Sequence, residues 1–199
     1  MLSIVLMVAV GALGGLSFEV PDVQSADVCP EAGVRAVWID GEPCGGKPTK
    51  FFAYYGIPED ASAEHPVPGM VLIHGGHGTA FARWVRTWVR RGYAAIAADN
   101  CGAIPKRVDG TEHDWTASGF GAPRGWGRTD LAALPPDEQW PYHAVSTAVR
   151  SHSFLRSLPR VDADRIGITG ISWGGYLKGN KVPGTCGRVR VVGFGGFVL

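Results

Sequence analysis

Arg165-Ile166-Gly167-Ile168-Thr169 followed by Gly170-Ile171-Ser172-Trp173-Gly174-Gly175 is the stretch on which the reading of the whole chain turns. Arg165 to Thr169 is short, β-branched and apolar, the composition of a strand buried on both faces. Gly170 to Gly174 fits G-x-S-x-G, in which a serine occupies a sharp turn between a strand and a helix. The residues two positions either side of that serine crowd the backbone, and glycine, lacking Cβ, fits there most easily. Such a turn exposes the Ser172 hydroxyl as a nucleophile. It also aims the N–H of Trp173, at the start of the next helix, toward charge developing on a substrate oxygen. The bare pattern arises by chance in a chain with 29 glycines; the buried strand in front of it gives it weight.

A second, independent signal lies upstream. Gly69 to His74 (GMVLIH) is another short apolar strand, and it runs into His74-Gly75-Gly76-His77-Gly78. Small residues after a strand let backbone N–H groups approach a substrate carbonyl, so Gly76 or His77 is the expected second oxyanion donor. His74 is expected to orient this loop through its side chain. The His74-x-x-His77 spacing also suggests a metal pair, but both lie on a glycine-rich turn with no third ligand expected nearby, so no metal and no cofactor is expected.

Working outward, Tyr93 to Ala98 (YAAIAA) is a third strand of the buried kind. Between it and GMVLIH, Ala80 to Arg91 places Phe81, Trp84, Val85 and Trp88 on one helical face, and Gly92 stops the helix. That is a βαβ unit with a right-handed crossover. A second helix is predicted from about Pro141 to Leu158, with Tyr142, Val145, Val149 and Leu155 inward, ended by Pro159. The turn at Asp162 to Asp164 then leads into the Arg165 strand. Alternating strands and helices indicate a parallel α/β sheet. Nearer the N-terminus, Val34 to Asp40 and Thr49 to Gly56 read as a hairpin at a sheet edge. Gly41 to Lys47 (GEPCGGK) imitates a phosphate-binding loop, but Pro48 stands where a hydroxyl residue must follow, and a strand comes next; a hairpin turn is the better reading. Asn100 to Trp140 has no clear period. It follows a strand, so it belongs at the carboxyl edge of the sheet, where ligands bind. There His113, Trp115, Phe120 and Trp126 either line a pocket or pin the loop down.

The ends and the charge set further bounds. Met1 to Phe18 has no charged side chain, and Leu2 to Leu16 is almost continuously apolar, which reads as a secretory signal or N-terminal anchor occupying residues 1–25, with cleavage suited to follow Ser17 or Ser25. An exported location is the expectation, with membrane contact only if that segment stays attached. Cys29, Cys44, Cys101 and Cys186 allow three full pairings that the sequence does not separate. The net charge of +1 supplies no cationic surface, so nucleic acid is not an expected partner.

The pairing of VLIHGG with an elbow after DRIGITG, over roughly Arg35 to Tyr176, resembles the α/β-hydrolase superfamily, nearest to its acetyl xylan esterase, dienelactone hydrolase and prolyl oligopeptidase-like groups. The resemblance implies an α/β-hydrolase fold over residues 26–199, family-like to about 177: a mostly parallel sheet with helices on both faces and an N-terminal β-hairpin. It implies Ser172 as nucleophile and Gly170 and Gly174 as elbow glycines. The implied reaction is hydrolysis of a small-molecule or carbohydrate ester through an acyl-enzyme, with a serine peptidase as the alternative. Members of the superfamily place an Asp or Glu and then a His after the serine. Here all six histidines precede Ser172, and no Asp, Glu or His follows it. The stretch from Lys178 carries Gly179, Asn180, Pro183 and Gly184, which oppose the helix an elbow requires, while Arg188 to Val192 alternates like a strand. The resulting expectation is a C-terminally truncated member, and the competing reading is a hydrolase-fold fragment with impaired or no catalysis.

Overall fold

Alternate residues along the central strands enter two separate cores. Val71 and Ile73 pack in one, Met70 and Leu72 in the other; Ile96 and Ala98 likewise oppose Ala95 and Ala97. A strand apolar at every position is thus satisfied only by cover on both faces, as the sequence predicts for GMVLIH and YAAIAA. Ile39, Phe52, Ile73 and Ile96 are fully buried, each worth about 1.5–3 kcal/mol relative to exposure.

The computed structural model describes residues 15–28, 32–76, 78–106, 114–120, 133–175 and 190–191. Its strands are β1 (Val23–Ser25), β2 (Arg35–Asp40), β3 (Lys50–Gly56), β4 (Val67–Ile73), β5 (Ala94–Ala98), β6 (Ala103–Pro105), β7 (Trp115–Ala117), β8 (Val161–Gly170) and β9 (Arg190–Val191). The helices are α1 (Ala82–Val89) and α2 (Trp140–Ser157), with a 3-10 turn at Pro136–Glu138. Seven strands form one sheet in the order β1-β2-β3-β5-β4-β8-β9. The sheet is mixed: β1, β2 and β3 run antiparallel, β3 meets β5 antiparallel, and β5, β4, β8 and β9 are parallel. The β2–β3 hairpin is the predicted one, and β1 extends it outward. β9 falls inside the predicted Arg188–Val192 strand.

Helix α1 packs against one core and α2 against the other, so the sheet is covered on both sides. In α1, Ala82 and Val85 are fully buried, and Trp84 and Trp88 pack at the margin of their core. Gly92 has φ +81°, and the N–H groups of Gly92 and Tyr93 return to the carbonyls of Val89 and Trp88, closing the helix as predicted. The four α2 residues predicted inward, Tyr142, Val145, Val149 and Leu155, are all buried.

Three features differ from the sequence expectation. The β8 strand starts at Val161, and the Asp162–Asp164 turn survives within it as a bulge: the register moves from Val67↔Val161 to Gly69↔Ile166. Asp162 Oδ1 accepts from Asp164 N–H at 3.0 Å, and its Oδ2 accepts from Arg165 Nε at 2.6 Å. The stretch after Asn100 contains the small β6–β7 ladder; three-residue strands leave too little period to see. Finally, Leu16 is buried in the α2-side core, and β1 pairs with β2, so the folded unit includes residues before position 26. Ser17 N–H donates to Glu42 Oε1 at 3.0 Å, and Ser153 Oγ donates to Phe18 O at 2.9 Å. The apolar run before residue 15 lies outside the described residues, among which no helix is long and apolar enough to cross a membrane.

Candidate active site

At Ser172 the backbone takes φ +53°, the only positive φ at a non-glycine residue among those described. The turn that imposes it sits at the carboxyl end of β8, and Trp173–Gly175 begin a helix behind it. Ile171 N–H donates to Ile73 O at 3.2 Å and Gly174 N–H to Ile171 O at 2.9 Å, which ties the elbow to the end of β4. The two elbow glycines are there for space. A Cβ on Gly170 would clash with the Gly174 backbone, standing 2.5 Å from its oxygen. One on Gly174 would run into the Ile73 carbonyl and lie 2.8 Å from that of His74. Neither obstacle is a flexible side-chain end. Ser172 is exposed beside Ile171, which is also exposed.

The glycine loop after β4 meets this elbow directly. A Cβ on Gly75 would stand 3.0 Å from Ile171 O and 3.2 Å from Ser172 Cβ. The structure therefore brings Ser172 and the elbow it shares with Gly170, Trp173 and Gly174 against Gly75, the residue before Gly76. His77 lies outside the described residues.

His74 is buried with both ring nitrogens engaged. Nδ1 stands 2.7 Å from Gly75 O, and Nε2 accepts the Asn100 N–H at 3.1 Å. A carbonyl can only accept and a backbone N–H can only donate, which sets the ring as the neutral Nδ1–H tautomer. The sequence reading expected no further ligand-type residue near His74, and here it needs correction. Asp99 and Cys101 pack against it, with His74 Nε2 3.4 Å from Asp99 Oδ1 and the ligand-type atoms of all three within 4.8 Å. These atoms already serve one another. Asp99 Oδ2 accepts from the N–H groups of Cys101 and Ala103 at 3.2 and 2.7 Å, and the Cys101 thiol donates to Gly78 O at 3.4 Å. The cluster is a hydrogen-bonded anchor for the loops after β4 and β5, made where parallel strands end and their polar termini must be satisfied.

Asn100, Cys101 and Trp140 did not stand out in the sequence as site residues. Trp140 Nε1 donates to Asn100 O at 2.7 Å, and its ring meets that of Trp173 edge to face with centroids 5.9 Å apart. The signal for the first two is the run Asp99-Asn100-Cys101 at the end of an all-apolar strand, where polar side chains bury only if bonded. Of the aromatic residues after Asn100, Phe120 packs edge to face on Trp38 of β2 at 4.9 Å, which pins its segment to the sheet. Trp115 lies in β7 opposite Pro105; His113 and Trp126 lie outside the described residues. Gly41 to Lys47 forms the expected turn, with Cys44 and Lys47 exchanging both backbone hydrogen bonds around Gly45 and Gly46 at positive φ. Cys44 carries a free thiol whose pKa is raised by burial first and then by the charges of Glu138 and Asp137; Cys29 and Cys186 lie outside the described residues.

No protein-family model and no curated protein sequence matches the chain. Solved structures do resemble it. The acetyl xylan esterase from Paenibacillus sp. R4 is 23% identical, with 85% of this chain and 51% of that one covered at a TM-score of 0.55. Acetyl xylan esterase 1 from Thermoanaerobacterium sp. JW/SL YS485 is 17% identical, with 87% and 52% covered at a TM-score of 0.57. The chain spans about half the length of these structures. It has the α/β-hydrolase fold.

Proposed function

We propose that this α/β-hydrolase-fold chain is a serine hydrolase of the carboxylic-ester type, with Ser172 as the nucleophile. The observation that carries the reading is the elbow itself. An exposed serine sits at φ +53° between two glycines at which a Cβ would clash with backbone, and Gly75 lies alongside it. Backbone strain of this kind persists where the surrounding structure enforces it, and it clusters at reacting residues.

In this reading Ser172 Oγ attacks the acyl carbon, and the carbonyl oxygen gathers negative charge opposite the N–H groups of Trp173 and of Gly76 or His77. The ester C–O bond then breaks. The alcohol leaves with the proton that Ser172 gave up, and water then adds its OH to the acyl carbon and returns its other proton to Ser172 Oγ as the acid departs. No cofactor is required. The likeness to two acetyl xylan esterases favours an acetyl ester of a carbohydrate as the substrate class.

A specific observation favours a second reading, a hydrolase fold with impaired catalysis. Both ring nitrogens of His74 are committed to backbone partners, so that ring is not free to act as a base toward Ser172. Without a base a serine hydroxyl is a weak nucleophile at neutral pH. A fluorophosphonate probe separates the two readings. Labelling of the folded chain that disappears in Ser172→Ala supports the hydrolase; folded protein that stays unlabelled supports the impaired fold. A panel of p-nitrophenyl esters and peptide substrates then distinguishes esterase from peptidase action.

A further inference from the structure

Of the oxyanion donors proposed above, Trp173 lies on the elbow and Gly76, the candidate within the described residues, on the loop after β4. They are useful as a pair only if their relative position is held to a fraction of an ångström. A continuous buried path joins them. Nδ1–H of His74 holds the Gly75 carbonyl at 2.7 Å. Because a trans peptide is planar, fixing that carbonyl turns the Gly76 N–H to the opposite side. The His74 ring is in turn fixed at Nε2 by the N–H of Asn100, whose side chain also donates to His74 O at 3.4 Å. The carbonyl of Asn100 is held by Trp140 Nε1–H at 2.7 Å, and the Trp140 ring packs edge to face on Trp173. His74 is 1% exposed and Asn100 and Trp140 are 5% exposed, so water does not readily replace a lost link.

The geometry points to Trp140 as a positioning residue that locks the elbow and the glycine loop into one oxyanion site. This rests on the hydrolase reading above. Trp140 touches no substrate in this role; its indole N–H fixes Asn100, which fixes His74, which aims Gly76. Phenylalanine at position 140 keeps an aromatic ring there while removing the donor, together with part of the buried ring volume, whose loss affects both test substrates alike.

The test compares wild type and Trp140→Phe on p-nitrophenyl acetate and on its thiono analogue, in which C=S replaces C=O. Sulfur bearing developing charge accepts hydrogen bonds more weakly than oxygen, so a misaimed donor penalises the oxo ester selectively. The expected result is a fall of about tenfold in kcat/KM for the oxo ester, a much smaller fall for the thiono ester, and KM little changed. A general loosening of the fold lowers both substrates together. An oxo-to-thiono ratio equal to that of wild type, in a folded Trp140→Phe protein, overturns the positioning role and leaves the hydrolase reading standing. Wild-type protein with no Ser172-dependent turnover of either ester overturns both. Should Trp140→Phe fail to fold, His74→Gln cuts the same path at its other end and is judged by the same ratio.

Discussion

Ser172 occupies backbone space that suits glycine better. A non-glycine residue in the left-handed region costs about 1–2 kcal/mol, while glycine costs about 0.5–1 kcal/mol of extra chain entropy on folding. Ser172→Gly is therefore expected to raise stability by roughly 0.5–1 kcal/mol while abolishing fluorophosphonate labelling. Urea denaturation and probe labelling on the same sample check both halves; a loss of stability would mean the strain is relieved elsewhere in the turn. The neighbouring glycines carry the opposite expectation. Gly174→Ala puts a methyl group against the Ile73 and His74 carbonyls, and a backbone clash in a packed turn is expected to cost about 1–3 kcal/mol. A thermal midpoint close to that of wild type would show that the turn can move aside. Sequence spacing already pointed to Ser172, Gly170 and Gly174, because G-x-S-x-G encodes a purely local steric problem. Asn100 and Trp140 were not legible: their meeting depends on the loop between them coming back to the end of β5, which no local pattern records.

Helix α2 carries two histidines whose pKa values are lowered. Burial is the leading cause for both, opposed at His143 by a hydrogen bond with the Asp137 backbone and aided at His152 by the charge of Arg156. In the unfolded chain these rings titrate near about 6.5. Between that value and their lower folded values the unfolded state binds more protons, so stability rises with pH there and falls as acid is added below about 6.5. Urea midpoints at pH 7.5 and 5.5 are expected to show this loss, with a shallower slope in His143→Gln; a slope unchanged by that substitution would assign the effect to other groups. The sequence located α2 nearly to the residue through its apolar spacing and Pro159. It was silent on β1, β6 and β7, since three residues hold too few alternations to betray a strand. It placed the Asp162–Asp164 turn ahead of a strand that in fact contains it, because a bulge and a turn use the same Asp chemistry.

Across the whole molecule, Arg150 and Glu42 join α2 to the turn after β2, with side chains 13% and 10% exposed and N···O 2.9 Å. Glu42 also receives the Ser17 N–H, so one carboxylate secures the N-terminal segment, the hairpin and the helix. Arg150→Met leaves that charge buried without its partner and is expected to cost about 3–5 kcal/mol, more than the Arg150→Met/Glu42→Gln double variant. A urea double-mutant cycle measures it, and equal losses would show the pair to be solvated in practice. The sheet order has a consequence in time. β2 and β3 pair Asp40 with Lys50 across a short turn, whereas β4 and β8 pair Ile73 with Gly170. Closing so long a loop is entropically slow, so the meander and α1 are expected to gain amide protection before β8 in pulse-labelled hydrogen exchange. A nascent chain grows from Ala98 to Ser172 with β1 to β5 available to fold and no elbow to strain. The strained turn at Ser172 is then assembled against a sheet that already exists.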